Sequence, residues 1–476
     1  MNSLRDDARA IWQAGVDAVD STNLVRNAIS ASTDALTIAG HRFDLSSIER
    51  ICVVGAGKAG AGMAAGVEQA LGPELLDRIS GWVNVPADCV KRLKRITLHA
   101  ARPAGVNEPT AAGVEGTQAI LKLVGELTRN DLCIVLLSGG GSALLPGPAA
   151  PITLDEKLAV TRKLAAAGAT IQELNTVRKQ LSTVKGGRLA ADIPAGQVVT
   201  LIISDIVGDP LDMIASGPTV PDRSTVAEAE EILRRLLQEE DVPASVWERL
   251  RSAGTPPTAA GHVHNEIIGS NRDAVAAALA EARRRGYDVK DIGSSNDGEA
   301  ADWGRTLAEA ALDARKRHTR PFCLIGGGET TVRLPRGDQP RKGGRNQEIA
   351  LAAVTRFWDE PAHGVVVLSG GTDGEDGPTD AAGAIADLAV ITEAKRKRLD
   401  PQTFLAEHSS YWFFEAAGGL LRTGPTHTNV MDLHVVISTP RPKRAWVPEK
   451  EWATLREQPA PADRPRRRTA KTGRRG

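Results

Sequence analysis

Short apolar runs recur along the chain, each ending in glycine or a carboxylate. They read Ile51-Cys-Val-Val-Gly, Leu132-Cys-Ile-Val-Leu-Leu-Ser-Gly-Gly-Gly, Val198-Val-Thr-Leu-Ile-Ile-Ser-Asp, Phe322-Cys-Leu-Ile-Gly-Gly-Gly-Glu and Val365-Val-Val-Leu-Ser-Gly-Gly-Thr-Asp. Their apolar positions are continuous rather than alternating, which predicts strands buried on both faces and a mainly parallel sheet. Alanine-rich helical stretches lie between them, at Ala59–Leu71, Thr110–Leu127 and Arg272–Arg285. A further helix is predicted at the start, with Leu4, Ala8, Ile11, Trp12, Gly15, Val16 and Val19 on one face. This rhythm predicts an α/β fold, in which ligands gather at the carboxyl ends of strands. Each of these glycine-rich loops stands at such an end.

A chain of 476 residues exceeds one ordinary domain. Residues 223–265 read as polar helix, then the turn-rich Gly254-Thr-Pro-Pro-Thr, then a fresh strand at Glu266–Gly269. The expected division is therefore 1–250, 251–437 and a tail from 438. Lysine plus arginine balances aspartate plus glutamate, 59 against 59. The balance is uneven along the chain: residues 438–476 hold twelve basic and four acidic side chains, so the preceding part is net acidic by eight. An acidic body with a basic, proline-rich tail predicts no nucleic-acid-binding fold and a disordered appendage. No apolar run is long enough to span a bilayer, and Arg5, Asp6 and Asp7 interrupt the start where a secretory peptide would be apolar. Cys52, Cys89, Cys133 and Cys323 show no CxxC spacing, and three of them sit in apolar runs, so neither disulfides nor structural zinc are expected. A cytoplasmic protein is the expectation. Its oligomeric state, homo-oligomer or not, is left open.

Gly55-Ala-Gly57-Lys58-Ala-Gly60 satisfies GxGxxG between a strand and a helix, the spacing of a dinucleotide site. The acidic residue that should follow at the end of the next strand is missing from Gly81-Trp-Val-Asn-Val-Pro, and Lys58 adds a cation where amides already favour anions. Ser138-Gly139-Gly140-Gly141-Ser142 is a second amide-rich loop able to approach phosphate closely, although no Walker motif occurs. Asn175-Thr-Val-Arg178-Lys179 and Lys185-Gly-Gly-Arg188 collect cations; alone they read as a solvated face. Asp205 and Asp209 follow an apolar strand, where a carboxylate can bind magnesium or accept a hydroxyl proton, or simply make a turn. The last cluster holds Glu329, then Arg345 and Asn346 opening a helix, then Thr372 and Asp373 ending a strand. Arg345 carries the planar fork suited to phosphate or carboxylate. No HExxH, EF-hand or GxSxG pattern is present.

Together and in order, these loops resemble the glycerate 2-kinases, the type with a C-terminal MOFRL domain formerly also named hydroxypyruvate reductase. The resemblance rests on Val54-Gly-Ala-Gly-Lys-Ala, Leu137-Ser-Gly-Gly-Gly-Ser-Ala-Leu, Asn175-Thr-Val-Arg-Lys, Ser204-Asp-Ile-Val-Gly-Asp, Gly326-Gly-Gly-Glu-Thr, Gly344-Arg-Asn-Gln-Glu and Ser369-Gly-Gly-Thr-Asp-Gly, across residues 5–437. It departs from the pattern at Arg102, Gln180, His427 and Met431. The resemblance implies two three-layer α/β/α domains, the N-terminal one Rossmann-like, with the active site in the cleft between them. It implies ATP with magnesium, D-glycerate or a related hydroxy acid as acceptor, and Lys58 and Arg345 as the essential cationic pair. Asp205 is expected as a third catalytic group, and Asp205 or Asp373 as the metal ligand. Gly55, Gly57, the Ser138–Ser142 loop, Asn175, Arg178, Lys179, Asp209, Glu329, Asn346, Thr372 and Asp373 are the expected substrate and nucleotide contacts. Two rival readings stand beside it: an NAD(P)H-linked hydroxypyruvate reductase, and a non-catalytic phosphometabolite-binding protein.

Overall fold

The computed structural model describes residues 3–106, 108–252, 262–334, 341–360 and 363–440. The basic tail from 441 and the Gly254–Thr258 turn lie outside them. Fifteen strands are described. β1 (Ile29–Ala31), β2 (Ala35–Ile38) and β3 (His41–Asp44) form a small antiparallel sheet that the apolar pattern did not announce. The first large sheet contains β4 (Ile51–Ala56), β5 (Ile79–Pro86), β6 (Ile96–Arg102), β7 (Leu132–Leu137), β8 (Gln197–Ile203) and β9 (Val263–Gly269). The second contains β10 (Asp288–Asp291), β11 (Phe322–Gly328), β12 (Val365–Gly371), β13 (Gly383–Asp387), β14 (Leu420–Leu421) and β15 (Asp432–Ser438).

The first sheet runs β6-β5-β4-β7-β8-β9 and every neighbouring pair is parallel. This is the doubly wound order, which reverses between β4 and β7. The two loops that leave those strands are Gly55–Gly60 and Ser138–Ser142, so the switch point opens where both glycine loops lie. One face of the sheet packs on a core with Val53, Ile134 and Leu201, the other on a core with Cys52, Val135 and Ile202. Continuous apolar strands follow directly from this two-sided burial.

The second sheet, ordered β10-β11-β15-β12-β13-β14, is different. Only β10–β11 is a parallel pair; the remaining four are antiparallel. Its strands are as continuously apolar as those of the first sheet because helices cover both faces here too. Apolar continuity reports burial, not direction, so the parallel expectation holds for the first sheet alone.

The sheets also divide the chain differently from the expected cut at residue 250. β9 lies beyond that cut yet pairs with β8 and completes the first sheet. The helix Leu4–Ala18, expected with the first part, packs its Ile11, Trp12 and Val16 on the second sheet. Trp12 Nε1 donates to the Gly370 carbonyl at 3.2 Å, and Arg5 holds Asp387 at 2.6 Å. Both differences are long-range choices of partner, which periodicity within a segment does not encode.

Candidate active site

Lys58 leaves β4 on a turn that its neighbours constrain tightly. Gly57 has φ +154, and a side chain there would run into Ser138 Oγ. Ser138 Oγ in turn accepts the Ala59 backbone N–H at 3.0 Å, while the Lys58 N–H donates to the Gly139 carbonyl at 2.8 Å. The two glycine loops are thus stitched to each other. Gly55 lies inside β4, where a side chain would meet the Leu136 carbonyl, so its role is close strand packing.

The Lys58 ammonium bridges Asp373 and Glu375, each at 2.8 Å. Burial would push its pKa down, but these two carboxylates outweigh it and hold the value up. Arg345 opens the helix Arg345–Phe357 and is gripped on two sides. Its Nε and Nη2 reach Asp432 at 2.6 and 3.1 Å, and its Nη1 reaches Glu329 at 2.7 Å. Guanidinium has five N–H groups, so two remain for a ligand; the ammonium of Lys58 retains one. Burial opposes the Arg345 charge, and Asp432 with Glu329 more than restores it.

Both cations line one cavity of ≈ 600 Å³, together with Asp373, Glu375, Asp376 and Glu348. Lys58 comes from the first sheet, and Arg345 and Asp373 from elements of the second. Asp376 accepts the Asn346 and Gln347 N–H groups at 3.0 and 2.8 Å and so caps the helix that carries Arg345. Burial pushes its carboxyl up to about 7. Glu348, also raised by burial, meets His408 Nδ1 at 3.1 Å.

Asp205 stands beside this cavity rather than in its wall, pressed against Gly139 and 3.5 Å from Asn429 Nδ2. Burial, then the Glu329 charge, pushes its carboxyl up to about 7. Asn346 is buried, donating to Asp432 at 2.9 Å and accepting from Ser369 Oγ at 2.5 Å. Thr372 is buried too, donating to the Met431 carbonyl at 2.7 Å. These two hold the cleft's frame.

Several expected contacts are not brought to the cleft. Asn175, Arg178 and Lys179 lie on the helix Ile171–Gln180, where Ser216 Oγ donates to Asn175 at 3.3 Å and Lys179 is 3.5 Å from Asp212 and Asp222. Ser142 Oγ accepts from Lys185 Nζ at 2.7 Å and pairs with Ser216 at 2.9 Å. Asp209 has φ +55 and lies 4.0 Å from Arg272, a turn position outside the cavity wall. Conversely, Glu375, Asp376 and Asp432 belong to the ionic network without having been expected there. The first two sit in the Gly371-Thr-Asp-Gly-Glu-Asp376 loop, directly after Asp373. Asp432 starts an antiparallel strand, so its amino end reaches the edge where neighbouring strands end, opposite Gly328 and Gly371.

Among the described residues no three His, Cys, Asp or Glu side chains converge to hold a metal by themselves. Magnesium commonly keeps its waters and takes one or two carboxylates plus substrate phosphates, and Asp373 with Asp205 supplies hard oxygen donors of that kind.

An α/β protein with a doubly wound sheet, a second mixed sheet and a cationic pair meeting carboxylates in one cleft is the class that fold and site define. Residues 7–251 match a family model described as a domain of unknown function, DUF4147, and residues 322–432 match the MOFRL family. A glycerate kinase of Danio rerio is 38% identical over 93% of this chain and 99% of its own length. The glycerate kinase of Homo sapiens is 37% identical over 92% and 94%, and a glycerate 2-kinase of Pyrococcus horikoshii 37% over 89% and 95%. The crystal structure of a Thermotoga maritima glycerate kinase superposes with a TM-score of 0.78 at 34% identity, covering 92% of this chain and 99% of that one. The chain belongs to the glycerate kinase family.

Proposed function

We propose that the protein transfers the γ-phosphoryl group of ATP to the 2-hydroxyl of D-glycerate, giving 2-phosphoglycerate and ADP. The observation that carries this reading is the convergence of Lys58 and Arg345 from different sheets on one cavity, each held by carboxylates yet keeping N–H groups to offer. Phosphoryl transfer asks the protein mainly for positioning and charge stabilisation. Lys58 and Arg345 supply both to the transferring group and the glycerate carboxylate. Asp205, with a carboxyl near neutrality, suits acceptance of the hydroxyl proton as the new O–P bond forms. Asp373 would hold magnesium, whose charge offsets that of the nucleotide phosphates. The relatives' names support a glycerate acceptor, and that of the Pyrococcus horikoshii protein the 2-position. ATP chemistry and the four buried, unpaired cysteines suit the cytoplasm.

The reductase reading has less behind it. At the end of β5, where a dinucleotide fold places its ribose-binding acid, Asn84 is buried and donates to the Leu144 carbonyl at 2.8 Å. The test is incubation with ATP, magnesium and D-glycerate, with the product identified by phosphorus NMR. A 2-phosphoglycerate signal lowered at least ~100-fold in rate by Lys58→Ala supports the reading. A 3-phosphoglycerate signal overturns the regiochemistry, and near-normal turnover of Lys58→Ala overturns the role of the lysine.

A further inference from the structure

A second cavity, of ≈ 120 Å³, lies at the Ser142 end of the Ser138–Ser142 loop. Lys157, Arg178, Lys185 and Ser142 line it, with Leu154 and Leu158 among its apolar walls. Lys157 and Lys185 are only 7% and 3% exposed. Buried lysines ordinarily have a carboxylate partner, because an ion stripped of water is costly unless paired. Here, among the described residues, the partners are neutral: Lys157 Nζ donates to the Leu181 carbonyl at 2.9 Å, and Lys185 Nζ to Ser142 O, Ser142 Oγ and Ala215 O at 3.1, 2.7 and 3.4 Å. Arg178 makes no hydrogen bond or ion pair among the described residues.

We propose that this cavity is a binding site for a phosphate group, with Lys157 and Arg178 donating to its oxygens and Lys185 completing the positive field. Lys157 keeps two N–H groups free and Arg178 all five, which matches the acceptor-rich, doubly charged oxygens of a phosphate ester. Lys185 has spent its donors on Ser142 and Ala215, so its contribution is charge. The free protein carries the strain of this arrangement. Burial, then the Arg178 and Arg188 charges, pushes the Lys157 ammonium down to about 7. Lys185 falls well below its ordinary value through burial, then Lys157, Arg178 and Lys179. A bound dianion would reverse both effects. The cavity is too small for a whole nucleotide but takes one phosphate and a few adjoining atoms. It is separate from the Lys58–Arg345 cleft, although Gly140 of the intervening loop lies against the Lys58 side chain. The phosphate could therefore come from the donor nucleotide, from the phosphorylated product or from free phosphate. The inference stands independently of the acceptor's identity.

The test is calorimetric titration of inorganic phosphate, ADP and 2-phosphoglycerate into the full chain and its Lys157→Met, Arg178→Met and Lys58→Ala variants. Removing one charge-assisted contact should weaken the ligand that uses the cavity by about tenfold or more. Lys58→Ala should leave inorganic phosphate bound in that cavity as before, since Lys58 lines the cleft and not this cavity. Lys157→Met should melt no lower than the parent, since it removes a buried charge without an opposite partner. Weakening of ADP alone assigns the site to the donor, of 2-phosphoglycerate alone to the product, and of inorganic phosphate alone to free phosphate. Unchanged affinity for all three in both Met variants overturns the proposal. So does loss of phosphate binding in Lys58→Ala only, which would place the anion in the cleft. A kinase that turns over normally with either result leaves the proposed activity standing, so the two readings fail separately.

Discussion

Arg345→Met tests the ionic frame of the cleft and its chemistry in one experiment. The substitution removes three charge-assisted hydrogen bonds, two to Asp432 and one to Glu329. Asp432 is fully buried, and the Asn346 amide at 2.9 Å would remain beside it. Stripping the partner from a buried carboxylate costs about 3–5 kcal/mol. Glu329 is 43% exposed on its side chain and can regain water, so its share is below ~1 kcal/mol. A loss of about 3–5 kcal/mol is therefore expected from urea unfolding followed by tryptophan fluorescence. Adding Asp432→Asn removes the stranded charge while keeping an acceptor for Asn346. The double variant should recover most of the lost stability, a coupling of at least ~2 kcal/mol. Turnover should not recover, because no guanidinium remains to face the phosphoryl group. A single-variant loss under ~1 kcal/mol would show that Arg345 does not neutralise Asp432. Recovered turnover in the double variant would remove Arg345 from the chemistry.

Gly139→Ala would place a methyl group against the Asp205 carboxylate and the Asn429 amide. It should lower stability by ~1–3 kcal/mol and turnover at least tenfold; unchanged kinetics would show that Asp205 need not be held there. Asp376→Asn addresses pH. A carboxyl raised to about 7 stabilises the fold below its ordinary pKa, and that contribution is lost as pH rises through the folded value. Between about pH 4 and 7 the parent should lose up to ~4 kcal/mol from this group, while Asn, which keeps one of the two cap bonds, does not titrate and loses nothing over that range. Chemical unfolding across that range should show the variant gaining on the parent; a pH-independent gap would contradict the burial effect. Trp12→Ala should cost about 3–5 kcal/mol and reduce turnover, since Trp12 supports the strand leading to Asp373. A loss below ~1 kcal/mol would mean the first helix is not anchored on the second sheet.

The strands and glycine loops were legible because they are local statements: an apolar run buried on both faces, then residues that allow a tight turn. Lys58, Arg345 and Asp373 were legible for the same reason, each lying at the end of such a run or opening the next helix. Their partners were not. Glu375 and Asp376 look like ordinary turn residues until the loop folds back on Lys58 and on the helix at Arg345. Asp432 was hidden by strand direction, since an antiparallel insertion brings an amino end to an edge otherwise built from carboxyl ends. Arg178 and Lys185 read as a solvated charge run, yet packing of the helix Leu154–Ala166 against Ile171–Gln180 turns that run inward around Lys157. Sequence by itself determined where the backbone could bend, where apolar faces had to be covered and which side chains could carry charge to the sheet edge. Tertiary structure alone decided which charges meet, because pairing depends on strand order, strand direction and burial, and these are set by contacts between segments far apart in the chain.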